Sequence, residues 1–317
     1  MIKQIKIIKN RSDIGAGTRG SDMGIDAMEI AAINQNNDFF NKHEHIDVLS
    51  HNESIYNMVK NSFAKRISFV VEQCTRLSLV VNRVIEEDRF PLVLSGDHSS
   101  ALGTISGVKA AYPDKELAVI WIDAHADLHS PYTSPSGNIH GMPLGAAIAD
   151  DNLEHKINDL SEGTLKHWTA MKTIGKDGAK VKPENIIFFG VRDTEEPEEK
   201  QMEKYKIKNY TVAEMRKRKI TTCVNEALEK VKYCDVIYIS FDVDSLDCDL
   251  ISYGTGTPVP NGFDQYEVIE IIKILMASDK VVCLEVVEIN PLLDNKCNKM
   301  AETAFEVVNS IFGVGEV

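Results

Sequence analysis

An α/β fold, built on a mostly parallel sheet covered on both faces, is predicted by two features of this sequence. Continuous apolar runs such as Leu117–Ile122, Ile186–Phe189, Val236–Phe241 and Val281–Val287 alternate with longer stretches of helical character. Strands buried on both faces read as unbroken apolar runs, and their separation by helices marks parallel crossover units. The second feature is positional: His98, Asp123, Asp242 and Glu288 each fall just past the carboxyl end of such a run. Open parallel sheets bind ligands beyond those ends.

Taken in order, Ile2–Ile8 alternates apolar and polar residues as a short strand does, and the Gly-rich turn IGAGTRGSDMG at 14–24 follows it. The glycine spacing does not fit a phosphate loop and no Lys-Ser or Lys-Thr follows, so the turn is expected to bring backbone close to a ligand or a neighbouring strand. Ile25–Asn34 is a helix, 35–54 a polar surface stretch around one short strand, and 55–88 a helix with a break near Lys65–Arg66. His43, His45 and His51 lie in that polar stretch without an apolar frame or alternating acids, and are not expected to be ligands. Strand Pro91–Leu94 runs into SGDHS, Ala101–Ala111 is helical, and strand Leu117–Ile122 leads through a loop to His140 and a helix from about Met142 to Ala149. The polar, Lys-rich segment 150–184 lacks firm periodicity and is the expected place for a surface insertion. After strand Ile186–Phe189 come a helix around Pro197–Tyr205, a short strand near Ile207–Tyr210 and helices at about 212–218 and 222–232. Strand Val236–Phe241, helix Gln265–Met276, strand Val281–Val287 and helix Lys299–Ile311 complete the chain.

The 317 residues, 43% of them hydrophobic, suffice for a large core, and no linker composition divides them, so one domain over 1–317 is expected. A net charge of −13 without a basic cluster argues against nucleic acid; the acidity is either a solubilising surface or, if it steers anything, favours cationic ligands. No apolar run approaches the roughly 18 residues of a membrane helix, so no membrane partner is expected. The amino terminus MIKQIKIIKN interleaves Lys with Ile and does not read as a signal peptide. Six Cys without a CxxC pair read as reduced, structural thiols, and cytoplasm is the expected location.

The chemistry gathers at the strand ends. Leu117–Ile122 ends in Asp123, His125 and Asp127, which the period of a strand puts on one side, and Val236–Phe241 ends in Asp242 and Asp244. Desolvating a carboxylate is costly, so alternating acids and a His at the end of a buried run call for a cation. With His98 the set is four carboxylates and two imidazoles, more than one zinc needs, and it suits two metals about 3.5–4 Å apart. The carboxylate-heavy, thiol-free donors suit Mn(II) and by themselves leave Fe(II) or Co(II) open. Water shared between the ions would be acidified to a hydroxide nucleophile. Blander readings stand beside these: Asp242 or Asp244 as a cap or turn former, His98 as a core-edge histidine, His125 as a salt-bridged structural group. Glu288 reads as a substrate contact or a cap of the Pro291 turn, and His140 as an acid–base group or packing.

The strings SGDHS (95–99), DAHADLH (123–129), SPSGNIHGMPLG (134–145), SFDVDSLD (240–247), GTGTPVPNG (254–262) and EINP (288–291) resemble, in order along the chain, those of the arginase branch of the ureohydrolase family. The resemblance implies a three-layer α/β/α fold with a mostly parallel central sheet, two Mn(2+) per subunit, and hydrolysis of L-arginine to L-ornithine and urea through a metal-bridging hydroxide. It also implies a homo-oligomer, a trimer or hexamer. By motif, His98, Asp123, His125, Asp127, Asp242 and Asp244 would be metal ligands. Asp127 would also accept a hydrogen bond from the hydroxide, His140 would shuttle protons, and Glu288 would pair with the guanidinium. Ser136, Asn138 and Thr257 match residues around the substrate. His129 and Glu195 stand where the family's usual residues are Asn and Asp, a change in reach at the amino-acid end of the substrate. Agmatinase or another guanidino-acid ureohydrolase, a metal-dependent amide deacylase and a non-catalytic metal-binding homologue are the alternatives.

Overall fold

The computed structural model describes residues 3–313. Among the described residues eight strands form one sheet in the order β2-β1-β3-β8-β7-β4-β5-β6, with every pair parallel. They are β1 (Ile5–Asn10), β2 (Glu44–Asp47), β3 (Phe90–Ser95), β4 (Leu117–Ile122), β5 (Ile186–Phe189), β6 (Lys208–Tyr210), β7 (Val236–Asp242) and β8 (Val281–Val287). The helices are α1 (Gly24–Asn34), α2 (Phe39–Lys42), α3 (Ile67–Glu86), α4 (Ala101–Ala111), α5 (Pro143–Ile148), α6 (Glu162–Met171), α7 (Glu196–Tyr205), α8 (Val212–Arg218), α9 (Ile220–Lys230), α10 (Gln265–Met276) and α11 (Lys299–Phe312).

Side-chain alternation sorts the central strands onto two cores. Leu92, Leu94, Ile120, Ile122 and Ile239 pack with Met28 of α1, Met215 of α8, Ile271 of α10 and Phe305 of α11. Val93, Val119, Trp121 and Tyr238 pack on the other face with Val70 of α3, Leu102 of α4, Leu144 of α5 and Trp168 of α6. This is the expected three-layer arrangement. Helix α4 is sandwiched between sheet and α3, and a Cβ on Gly103 would lie 2.7 Å from the Cys74 carbonyl oxygen. Only a glycine lets the two backbones approach that closely.

Strands β3, β8, β7 and β4 are neighbours in the middle of the sheet although β4 follows β3 in sequence. Chain order therefore leaves a gap that the last two strands fill, and the carboxyl ends of these four face one crevice. Two expectations need correction. The first strand starts at Ile5 and runs to Asn10, while Ile2 lies outside the described residues. The long helix expected over 55–88 begins only at Ile67. Before it, Asn52–Tyr56 is a short 3-10 turn and Arg66 takes a left-handed φ of 56°, which a continuing right-handed helix cannot accommodate. The 150–184 segment carries α6, whose Trp168 is fully buried and donates from Nε1 to Asp151 at 2.6 Å.

Candidate metal centre

Beyond β3 the chain turns at Asp97, whose carboxylate accepts from the backbone N–H groups of Ser99 (2.8 Å) and Gly15 (2.9 Å). The Gly-rich stretch is thereby tied to the crevice, and the turn delivers His98 to its centre. The His98 ring lies flat on Trp121, with centroids 4.1 Å apart and planes at 4°, and its Nε2 meets the Ser240 hydroxyl at 2.8 Å. Its Nδ1 faces Asp123 at 3.0 Å, Asp127 at 3.1 Å and Asp242 at 3.0 Å.

The β4 and β7 ends interlock beside it. Asp123 accepts from its own loop at the His125 N–H (2.6 Å), and Asp242 accepts from the Asp244 N–H (2.8 Å). Asp244 reaches across to accept from the Ala124 N–H at 3.1 Å, and its second oxygen lies 3.0 Å from His125 Nδ1. Asp127 takes a left-handed φ of 49°, which turns its carboxylate back toward His98. Arg192 braces the rear of the site, donating to the carbonyls of Asp244 (3.0 Å) and Val259 (2.8 Å).

Among the described residues three triads have their donor atoms within 4.8 Å of one another: His129–Glu195–Glu198 at the rim, and two that lie here, His98–Asp123–Asp127 and Asp123–His125–Asp244. Asp123 belongs to both, and Asp242 lies against the first. Among the described residues, buried His98 Nδ1 and Asp123 Oδ2 find no hydrogen-bond partner of acceptable geometry, although three carboxylates converge on that one nitrogen. A single N–H can satisfy one acceptor along its axis. Convergence of this kind is what a cation satisfies, and the oxygen-rich, thiol-free donor set fits a hard divalent ion.

The electrostatics agree. Burial and then the charges of Asp244 and Asp123 push Asp242 well above the carboxylate range, and burial with Asp123 lifts Asp244 to about 6. Burial pulls the His98 imidazole down, but Asp123, Asp127 and Asp242 outweigh it and raise the ring well above its ordinary value. Crowded carboxylates hold each other's protons until other positive charge replaces them.

Glu288 closes the wall of a cavity of about 290 Å³ over this cluster. Its carboxylate accepts from the His98 N–H at 2.9 Å and from His140 Nδ1 at 3.0 Å. Burial works against the charge on Glu288, yet His140 brings its pKa below the ordinary value. Of the residues expected at the site, all but Asp123 line this cavity, and Asp123 lies fully buried beneath it. His43, His45 and His51 are elsewhere, His51 Nε2 pairing with Glu72 at 2.8 Å.

Comparison with known proteins agrees with this geometry. The sequence model of the arginase family matches residues 3–313. The chain belongs to the arginase family. It is 36% identical over 315 residues to the arginase of Bacillus subtilis (strain 168), covering 99% of each chain. It is 34% identical over 320 residues to that of Bacillus caldovelox, covering 98% of this chain and 99% of the relative. The solved native arginase of Bacillus caldovelox superposes with a TM-score of 0.84 over 100% of both chains at 34% identity.

The two residues expected to change the reach at the amino-acid end, His129 and Glu195, meet in space. His129 Nε2 contacts the Glu195 carboxylate and lies 3.5 Å from Glu198, while its Nδ1 meets the Thr133 hydroxyl at 3.0 Å. Glu198 was not anticipated. It is the third residue of α7, accepts from the Leu128 N–H at 3.1 Å, and burial raises its carboxyl to about 7. Its signal was the Glu195-x-x-Glu198 spacing of a helix start, where a capping carboxylate returns to the backbone. Asp193 also lines the cavity unanticipated, 3.6 Å from His125 Nε2. Thr257 donates its hydroxyl to Asp244 at 3.1 Å, so it steadies a candidate ligand from the cavity side.

Proposed function

We propose that this protein is an arginase that hydrolyses L-arginine to L-ornithine and urea, with two Mn(2+) ions per subunit. The observation that carries the reading is Glu288, a buried carboxylate set on the same His98 that the Asp123, Asp127 and Asp242 carboxylates converge on, inside one cavity. His98, Asp123, Asp127 and Asp242, with His125 and Asp244, would hold the ions. Bound there, the ions supply a water acidified enough to attack at neutral pH and positive charge against the charge that develops on attack.

The chain's own residues do the rest. Glu288 takes the planar guanidinium through charge-assisted hydrogen bonds and fixes its carbon above the candidate ligands. Asp127 accepts a hydrogen bond from the attacking water and orients it. His140, which donates from Nδ1 to Glu288 at 3.0 Å, stands where a proton can pass to the leaving amine as its C–N bond breaks. Ser136, Asn138, His129 and Glu195 face the amino-acid end, and Thr257 the substrate head.

The decisive test compares urea release by Mn(II)-loaded protein from L-arginine, agmatine and 4-guanidinobutyrate. Arginine should dominate. Preference for either other compound moves the substrate and keeps the site, and silence on all three with two metals bound removes the hydrolase reading. We also read residues 1–317 as one catalytic domain; none of 150–184 lines the cavity. A cytoplasmic homo-oligomer, trimer or hexamer, goes with this function. It accords with six free cysteines, five of them buried, and light scattering of the eluted protein would count the subunits.

A further inference from the structure

The cavity presents an electrostatic problem for an amino-acid substrate. Among the described residues, seven carboxylates line it and no Lys or Arg does. Ions at the floor would offset the acids there, but the α-carboxylate of an amino acid sits at the other end of the molecule from its guanidinium. Nearby Arg192 directs its donors to backbone carbonyls, and Arg19 is paired with Asp13 at 2.8 Å.

One ammonium is uncommitted. Lys65 donates from Nζ to Asn138 Oδ1 at 3.0 Å and has no carboxylate partner among the described residues. Its loop is built onto the rim: the Lys65 N–H donates to the Gly137 carbonyl at 2.8 Å. Gly137 has φ +70°, and a Cβ there would fall 2.0 Å from the Ser62 carbonyl oxygen, so the two loops touch backbone to backbone. A Lys ammonium only donates, so the amide atom facing it is the oxygen. The Asn138 NH₂ is then left with its donors unused by any described acceptor, on a residue that lines the cavity.

We propose that Lys65 is a positioning residue for the substrate's α-carboxylate, locking Asn138 as a donor and supplying the positive charge behind it. The inference rests on the arginase reading and makes Lys65 a determinant of selectivity for α-amino acids over the corresponding decarboxylated amines. The segment carrying it is the break before α3, so the same turn that ends the helical pattern places the charge.

The test is calorimetric titration of Mn(II)-loaded protein with L-ornithine and with putrescine, the same chain without the carboxylate. Lys65→Met should weaken ornithine by about tenfold, the scale of a hydrogen bond to a charged group, and leave putrescine unmoved. The KM for arginine should rise by a similar factor while kcat stays within about twofold. Lys65→Arg, which keeps donor and charge, should restore most of the affinity, and matching melting temperatures guard against misfolding. Equal weakening of both ligands, no weakening of either, or a wild type that binds neither overturns the proposal. Urea release by the wild type separates the two readings. If arginine is hydrolysed and Lys65→Met is silent, this inference alone fails. If ornithine binding depends on Lys65 but no urea appears, the arginase reading alone fails.

Discussion

At the floor of the cavity, His98, Asp123 and Asp242 are 0–2% exposed and stand at the ends of the central strands β3, β4 and β7. At the rim, Ser136, Asn138 and Glu195 stand on loops, and the Glu195 side chain is 53% exposed. Floor groups are fixed by the sheet, by the Trp121 face and by hydrogen bonds from their own turns. Rim groups are fixed by one another: His129 by Glu195 and Thr133, Asn138 by Lys65. On the proposed reading, the difference teaches that the chemistry and the choice of substrate would be held by separate parts of the molecule and could be altered separately.

The sharpest attack on that separation is at Asp123, which serves both donor triads of the floor. Asp123→Ala should lose about 10³-fold or more in urea release together with bound metal, read by assay and by atomic absorption. Metal retained at full stoichiometry would contradict the shared position of Asp123. Glu288→Gln should keep the metal and lower kcat/KM for arginine by roughly 10²-fold, because a neutral amide no longer pairs with the guanidinium. His129→Asn should change KM by about fivefold in either direction with kcat nearly constant, the mark of a contact made equally in ground and transition states. A large fall in kcat would mean that the rim reaches into the chemistry.

The smallest effect is on stability, and it has opposite signs in the two regions. If the floor holds ions as proposed, protonation of their ligands would release them, so the floor would lose stability as pH falls. Glu198 runs the other way, since burial raises it to about 7 in the fold. An acid raised in the native state contributes fully below its unfolded pKa, near 4.3, and that contribution is lost as pH rises through about 7. Glu198→Gln should flatten this slope, on the order of 2 kcal/mol between pH 5 and 8, seen as a smaller shift of the urea midpoint.

The floor was legible in sequence because burying a charge leaves a local trace. DxHxD and DxD at the ends of apolar runs stand out against the cost of desolvation, and strand periodicity says which side they share. The same rule, applied inside a strand, would have found Glu285 in VVCLEVV, which accepts from Ser95 and Tyr238 hydroxyls at 2.6 Å each. Rim residues leave no such trace. Glu198 looks like any acid in the first turn of a helix, and Lys65 lies at the expected break near Lys65–Arg66, which a helix reading of 55–88 treats only as an interruption. Their roles depend on which loop crosses which, information carried by the tertiary packing of 61–66 on 134–138 rather than by either stretch. The match to family motifs supplied Ser136 and Asn138, but not the pairing of His129 with Glu195.

The parallel stack of His98 on Trp121 has an optical consequence. The chain has only two tryptophans, and the other, Trp168, is hydrogen-bonded to Asp151 in α6, apart from the cavity. An imidazole lying flat on an indole changes the emission of that indole with its charge, so a metal ion taken up at His98 would alter the fluorescence of Trp121 on the proposed reading. Trp168 would serve as an internal reference, and occupancy could be followed without a label.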